Sequence, residues 1–348
     1  MKSSIKFACV LLCFFTFTLF AACSSKGKEK VQVALLVGNE DSFRIAYREV
    51  VKDLAQKKGV ELISYAANDD TAIQTDQLKT LLNQGVRHFV ILPVSTDITG
   101  QLSRLVASFD ACAAFSNVAP TAEALKVSRK LFYASSLESS AGNFQAKMLD
   151  TYFSQNPGKL EGKTMNVVMF FGAYSHSAQK FRLQGVTDGL KSLGYQVNVL
   201  AADSANWSRD NARQMMDIWY DRYGSRIDAV IAQNDDMALG AADALIEKGF
   251  SASSLAKELP VVGIDAIDDA VRAVNAGTLL GTVKQDGAMQ ARTAFELVMH
   301  FQNDKATGAF STSDGITSMT QLTNEPPASD SAVLNQCYAV PFVPITSF

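Results

Sequence analysis

Residues 31–57 read VQVALLVGNEDSFRIAYREVVKDLAQK, and the pattern of this stretch sets the fold class. Residues 31–37 form an apolar run without polar alternation, the pattern of a strand covered on both faces. After a polar loop, apolar residues return at helical spacing from Phe43 onward as Ile45, Val50, Val51 and Leu54. Further along the chain the same alternation continues as 60–65, 71–83, 88–92, 100–109 and 111–115. A second series runs through 142–153, 165–170, 179–193, 196–200, 209–223, 229–232, 237–248 and 261–264. Strands alternating with helices predict parallel α/β sheets. Because a single sheet of more than about ten strands is unusual, the series predicts two doubly wound lobes.

Composition narrows the function classes. The 348 residues are 47% apolar and 19% charged, an ordinary globular balance. Lys and Arg number 32 against 35 Asp and Glu, and the one short basic stretch, 26–30, is no nucleic-acid footprint. Three scattered histidines, His88, His176 and His300, lack zinc-site spacing. Two lysines precede an uncharged run, 7–22, that ends in Ala21-Ala22, so 1–22 reads as an export signal too short to span a bilayer. The junction Leu19-Phe20-Ala21-Ala22-Cys23 resembles a bacterial lipobox, with Phe20 in place of the usual Leu. That resemblance implies a lipidated Cys23, a tether over 23–30 and a protein held at a membrane surface on the periplasmic side. Cys112 and Cys337 then remain in apolar contexts, where free thiols are expected rather than a bridge.

Open parallel sheets bind ligands at the carboxyl ends of their strands. The loops there are 38–43, 171–176, 233–236 and 265–268, and they repeat Asp, Asn, His and an aromatic residue. Asp41, Asn234 and Asp265 sit nearest the strand ends and are the binding candidates; Asp236 and Asp268 read as helix caps. Trp219, Phe170-Phe171 and Phe132-Tyr133 read as packing, and 306–331, rich in Ser, Thr, Gly and Pro, reads as loop.

Several segments carry a family resemblance. These are Trp207 to Trp219 (WSRDNARQMMDIW), Asp228 to Ala241 (DAVIAQNDDMALGA), Val262 to Ala266 (VGIDA), Gly281 to Asp286 (GTVKQD) and Val340 to Val343 (VPFV). In order and spacing they resemble the galactose/glucose-binding proteins, type I ribose-binding-like members of the periplasmic sugar-binding family that serves ABC importers. The resemblance covers essentially all of 32–343. It implies that Phe43 and Trp207 sandwich a pyranose ring, whose apolar faces suit flat aromatics. It further implies that Asp41, His176, Arg182, Asn234, Asp265 and Gln285 bond the hydroxyls, Gln285 standing where the family has Asn. Leu92 and Ala178 replace an Asn and an Asp of the family, so two polar groups are missing from that set. Asn117, Gln179, Asp97 and Tyr174 are the substitutes considered. The family's calcium loop has no counterpart in 155–163, where two lysines stand among too few oxygen donors, so no metal and no cofactor are expected.

The resemblance also implies a hinge of three crossings, near 116–118, 282–285 and 340–341. They divide a first lobe, 31–116 plus 286–340, from a second, 117–285 plus 341–348. A monomeric receptor would close on glucose or galactose and present it to an ABC transporter permease, with a chemoreceptor as a further reader. A pentose or signalling furanose is the alternative ligand. Two carboxylates beside a sugar would also suit a glycosidase, but no nucleophile or metal motif supports catalysis, and residues 1–30 carry no helix-turn-helix of a sugar-responsive repressor.

Overall fold

In the computed structural model the described residues are 30–300, 325 and 327–346. The export signal 1–22, Cys23 and most of the loop expected over 306–331 lie outside them.

The first half alternates β1 (Gln32–Val37), α1 (Ser42–Lys58), β2 (Glu61–Ala66), α2 (Thr71–Asn83), β3 (His88–Leu92), α3 (Thr99–Ser108), β4 (Cys112–Ser116), α4 (Ala122–Lys126) and β5 (Leu131–Ser135). A second run follows as α5 (Glu138–Gln155), β6 (Thr164–Phe171), α6 (Ser177–Ser192), β7 (Gln196–Ser204), α7 (Arg209–Tyr223) and β8 (Ala229–Ala232). It continues with α8 (Asp235–Glu247), α9 (Leu255–Glu258), β9 (Val261–Val262), α10 (Asp268–Ala276) and β10 (Gly281–Lys284). The chain ends with α11 (Gly287–His300), β11 (Cys337–Ala339) and β12 (Val343–Thr346). One sheet has the order β11-β5-β4-β3-β1-β2 and is parallel throughout. The other is ordered β12-β10-β9-β8-β6-β7, with β12 antiparallel to β10. Two doubly wound lobes are therefore present.

The run that opens the chain shows why. Val33, Leu35 and Val37 pack with Tyr47, Val51 and Phe295 from α1 and α11. Ala34 and Leu36 face the other way, among Leu78, Leu82 and Val106 of α2 and α3. Residues alternate across a strand, so only an unbroken apolar run satisfies helices on both faces.

The lobe boundary expected at 116/117 is wrong. β5 pairs in parallel with β4 on one side and β11 on the other, so the chain stays in the first lobe through Ser135. It crosses between Ser135 and Glu138, not at 116–118. The fully buried run LFYAS lies inside the first sheet, and the five-residue α4 before it carries too little periodicity to announce the strand. The remaining passages run from β10 to α11 and from β11 to β12. Cys112 and Cys337 are buried free thiols.

Two glycines let α5 and α6 touch. A Cβ on Gly142 would lie 2.2 Å from the Arg182 carbonyl oxygen, and one on Gly185 would lie 2.1 Å from that of Ser139. Gly185→Ala is expected to force the helices apart and lower stability by about 1–3 kcal/mol. Urea unfolding reads this directly; an unchanged midpoint would contradict the close approach.

Candidate functional site

Each candidate side chain leaves a loop at the carboxyl end of a strand. Asp41 caps α1, its carboxylate accepting from the Arg44 N–H at 2.8 Å. His176 caps α6 and Asn234 caps α8, accepting from Met237 N–H at 3.0 Å. The caps are thus the residues picked as binding candidates, whereas Asp236 and Asp268 lie inside the first turns of α8 and α10. Asp236 instead accepts from the Ser42 hydroxyl across the cleft at 3.3 Å.

Asp41, Phe43, His176, Arg182, Trp207, Asn234, Asp265 and Gln285 all line one narrow cavity between the lobes, joined by Arg44 and Asn117. Asp41, Phe43, Arg44 and Asn117 come from the first lobe and the other six from the second lobe and its crossing. Of the substitutes considered for Leu92 and Ala178, Asn117 is in this cavity. Asp97 and Tyr174 line a separate, larger one, and Gln179 offers only its backbone carbonyl, to Gln233. Leu92 is core, its carbonyl taken by Gln74. Ala178 is buried against the cap. Arg44 escaped the sequence reading because an arginine in the first turn of an amphipathic helix ordinarily faces water. Its one signal was Asp41 three residues earlier, the spacing of a helical ion pair.

Trp207 is 9% exposed and sits with Asn206 in the left-handed backbone region, φ 62° and 53°. Its indole lies directly on Gly172, where a Cβ would fall 1.9 Å from the nearest ring atom. The His176 ring meets it edge-on at 5.1 Å, and the Arg182 guanidinium lies 5.7 Å from its centroid. Asn234 Nδ2 donates to the Trp207 carbonyl at 3.3 Å. In the first lobe, half-buried Phe43 packs over Gly287, where a Cβ would come within 2.7 Å of its ring.

Arg182, 3% exposed, is held from several sides. Nε donates to Glu138 at 2.7 Å, Nη2 to Gln285 Oε1 at 2.9 Å and Nη1 to the Gln233 carbonyl, with Asp265 at 3.8 Å. Across the cleft, Ala178 N–H donates to His176 Nδ1, which puts the imidazole proton on Nε2 and directs it to Asn117 Oδ1 at 3.1 Å. Gln285 Nε2 and Arg44 Nε are buried and have no partner among the described residues. Among the described residues no group of three or more metal-ligating side chains comes together. In the 155–163 segment the Lys159 ammonium bonds the carbonyls of Lys257 and Glu258.

A family model described as a periplasmic binding protein domain matches residues 33–306. The chain belongs to the periplasmic binding protein family. Its relatives put it in the type I sugar-binding branch. A xylitol-binding protein of Mycolicibacterium smegmatis is 30% identical over 270 residues, 74% of this chain and 68% of that protein. The D-galactose/methyl-galactoside binding periplasmic protein of Haemophilus influenzae is 25% identical over 290 residues, 82% and 85% of the two chains. Among solved structures, an ABC transporter periplasmic solute binding protein from Actinobacillus succinogenes with bound D-allose matches with a TM-score of 0.74 at 20% identity. That match spans 91% of this chain and 98% of the other, and it speaks to the fold.

In this periplasmic binding protein the cleft also sets a pH dependence. Burial pushes the Asp235 carboxyl up to about 7, against the hydrogen bond from Thr282 and the N–H groups of Ile267 and Ala266. Burial likewise raises Asp265 and Glu138, with Arg182 opposing in both. An unfolded carboxylate releases its proton near pH 4, so between about 4 and 7 the folded chain binds more protons and stability falls as pH rises. His176 works the other way. Burial, then Arg44 and Arg182, hold it well below its usual range, so the unfolded chain binds its proton below about pH 6.5 while the folded one does not. Asp235 titrates inside this interval, so the melting temperature is expected to be higher at pH 5.5 than at 7.5, and Asp235→Asn should flatten the difference. A lower melting temperature at pH 5.5 would show that Asp235 stays ionised in the fold.

Proposed function

We propose that the protein is a sugar receptor that closes on a hexose, glucose or galactose, and hands it to an ABC transporter permease. The observation carrying this reading is that every candidate side chain, drawn from both lobes, lines one cavity. Phe43 and Trp207 supply flat apolar surface for the two faces of a pyranose, and Asp41, His176, Arg182, Asn234, Asp265 and Gln285 supply the polar rim. Each sugar hydroxyl donates once and accepts twice, a valence that carboxylates, amides and guanidinium groups meet together. A ligand that touches both lobes stabilises the closed form by interactions that the open form cannot make, and the permease reads closure. A chemoreceptor is a further reader of the same surface. Lipidated Cys23 and the tether over 23–30 hold the monomeric receptor at a membrane in the periplasm. Binding rather than catalysis fits Asp41 and Asp265, since one caps a helix beside Arg44 and the other faces Arg182.

A five-carbon sugar, furanose or open polyol is the second reading. It is favoured by the relative named as xylitol-binding, 30% identical over 270 residues, and by the apolar Leu92 and Ala178, both fully buried. Calorimetry on residues 24–348, unfolded and refolded to strip carried-over ligand, tests both against glucose, galactose, ribose, arabinose and xylitol. Tight hexose heat supports the first reading and preference for ribose, arabinose or xylitol the second. No heat with any of the five overturns both.

A further inference from the structure

Resting on the sugar-receptor reading, we propose that Arg44 is a specificity-determining residue, the group through which the first lobe reads a sugar hydroxyl over the end of β3. The reason lies in the topology. In the first sheet β3 lies between β1 and β4. Three strand ends therefore face the cleft side by side, and neighbouring strands are about 4.8 Å apart. Beyond β1 come Asn39 and Asp41, and beyond β4 comes Asn117. The central strand ends in Leu92, fully buried core with no polar group to offer a ligand. Arg44 spans that gap. Its Nη1 donates to Asn39 Oδ1 at 2.6 Å and to Asp41 Oδ2, and its Nη2 donates to Asn117 Oδ1 at 3.1 Å. Groups beyond β1 and β4 stand roughly 10 Å apart at their strands, so one guanidinium bonded to both lies across the end of β3.

The chemistry of the spanning group is distinctive. Arg44 is 4% exposed and lines the cavity, yet its Nε has no partner among the described residues. A buried N–H without an acceptor is costly, and a bound hydroxyl oxygen would relieve it. Guanidinium has five N–H donors and no acceptor, so this position takes only an oxygen lone pair. The hydroxyl's own proton must go elsewhere, and the Asp41 carboxylate beside Arg44 is the adjacent acceptor. Arg44 and Asp41 thus form a donor–acceptor pair for one hydroxyl. A further hydrogen-bonded neighbour of Arg44, Asn117, also accepts from His176 of the other lobe, so the same guanidinium is tied to closure.

The test is calorimetry on the full chain, refolded free of sugar, with the tightest binder among glucose, galactose, ribose, arabinose and xylitol and with that ligand's monodeoxy derivatives. Arg44→Met is expected to weaken binding about 100-fold. One deoxy derivative, lacking the hydroxyl that Arg44 reads, should bind wild type and variant about equally. Thermal melts establish that each chain is folded at the assay temperature. Arg44→Met binding within about threefold of wild type, or every deoxy derivative weakened by the same factor in both chains, overturns the proposal. Wild type that binds none of the five overturns the receptor reading itself, and Arg44's role falls with it.

Discussion

Replacing Arg182 by methionine is expected to cost about 3–5 kcal/mol of stability. It should also remove all measurable sugar binding. The side chain is nearly inaccessible, and its nitrogens serve the Glu138 carboxylate, the Gln233 carbonyl and the Gln285 amide at once. Methionine fills much of the volume and none of the valence. Glu138, buried, would lose its counter-charge and keep an oxygen, Oε1, that already has no partner among the described residues. A buried carboxylate deprived of its cation either stays charged at high cost or takes up a proton, so the variant's deficit should shrink as pH falls toward 5. Urea unfolding at pH 7.5 and 5.5 measures both parts. A loss below about 1 kcal/mol at pH 7.5 would mean that the pair is dispensable to the fold. The double variant Arg182→Met/Glu138→Gln should recover part of the stability and none of the binding, because it removes the stranded charge without restoring the donors facing the cavity.

The second large effect is on affinity. Trp207→Ala should weaken sugar binding by about two orders of magnitude or more, equivalent to roughly 3 kcal/mol. The indole is one wall of the cavity and is positioned from three sides: by Gly172 beneath it, by the His176 ring at its edge and by the Asn234 amide on its backbone carbonyl. Gly172→Ala should reproduce much of the loss while leaving the indole in the chain, since the new methyl group would occupy the ring's own position. Calorimetry on the two variants separates them from a simple folding defect, because Trp207 belongs to the rim of the second-lobe core and melting should fall less than binding does. If Gly172→Ala binds as wild type, the indole has another resting place and the wall is not preorganised.

Much of this site is legible along the chain. A residue that directly follows a parallel strand lands at the cleft, because the carboxyl ends of all strands in a doubly wound sheet point the same way. Asp41, His176, Asn234 and Asp265 follow β1, β6, β8 and β9 within a few positions, so their convergence needed only the strand assignments. Asp265 adds a mark of its own, a non-glycine residue at φ 121°, the kind of backbone strain that collects at ligand sites. Capping and lining proved to be one placement: Asp41 and Asn234 cap helices because they stand at the strand-to-helix turn that faces the ligand.

The two parallel-sheet lobes, the helix faces and the eight residues at the cleft could be read from the chain alone, because each is encoded by local period, by position after a strand or by a family motif. Where the chain leaves the first lobe, and what covers the end of β3, emerged only from the assembled fold. β11 and β12, of three and four residues, stand outside the strand–helix alternation, and β5 follows a helix of five residues too short to announce it; each is placed by its pairing with a neighbouring strand. Arg44 makes the same point with a side chain. Its place in the cavity depends on Asn39, Asp41 and Asn117 being brought together by the ends of β1 and β4 on either side of β3, and no spacing along the chain records that distance.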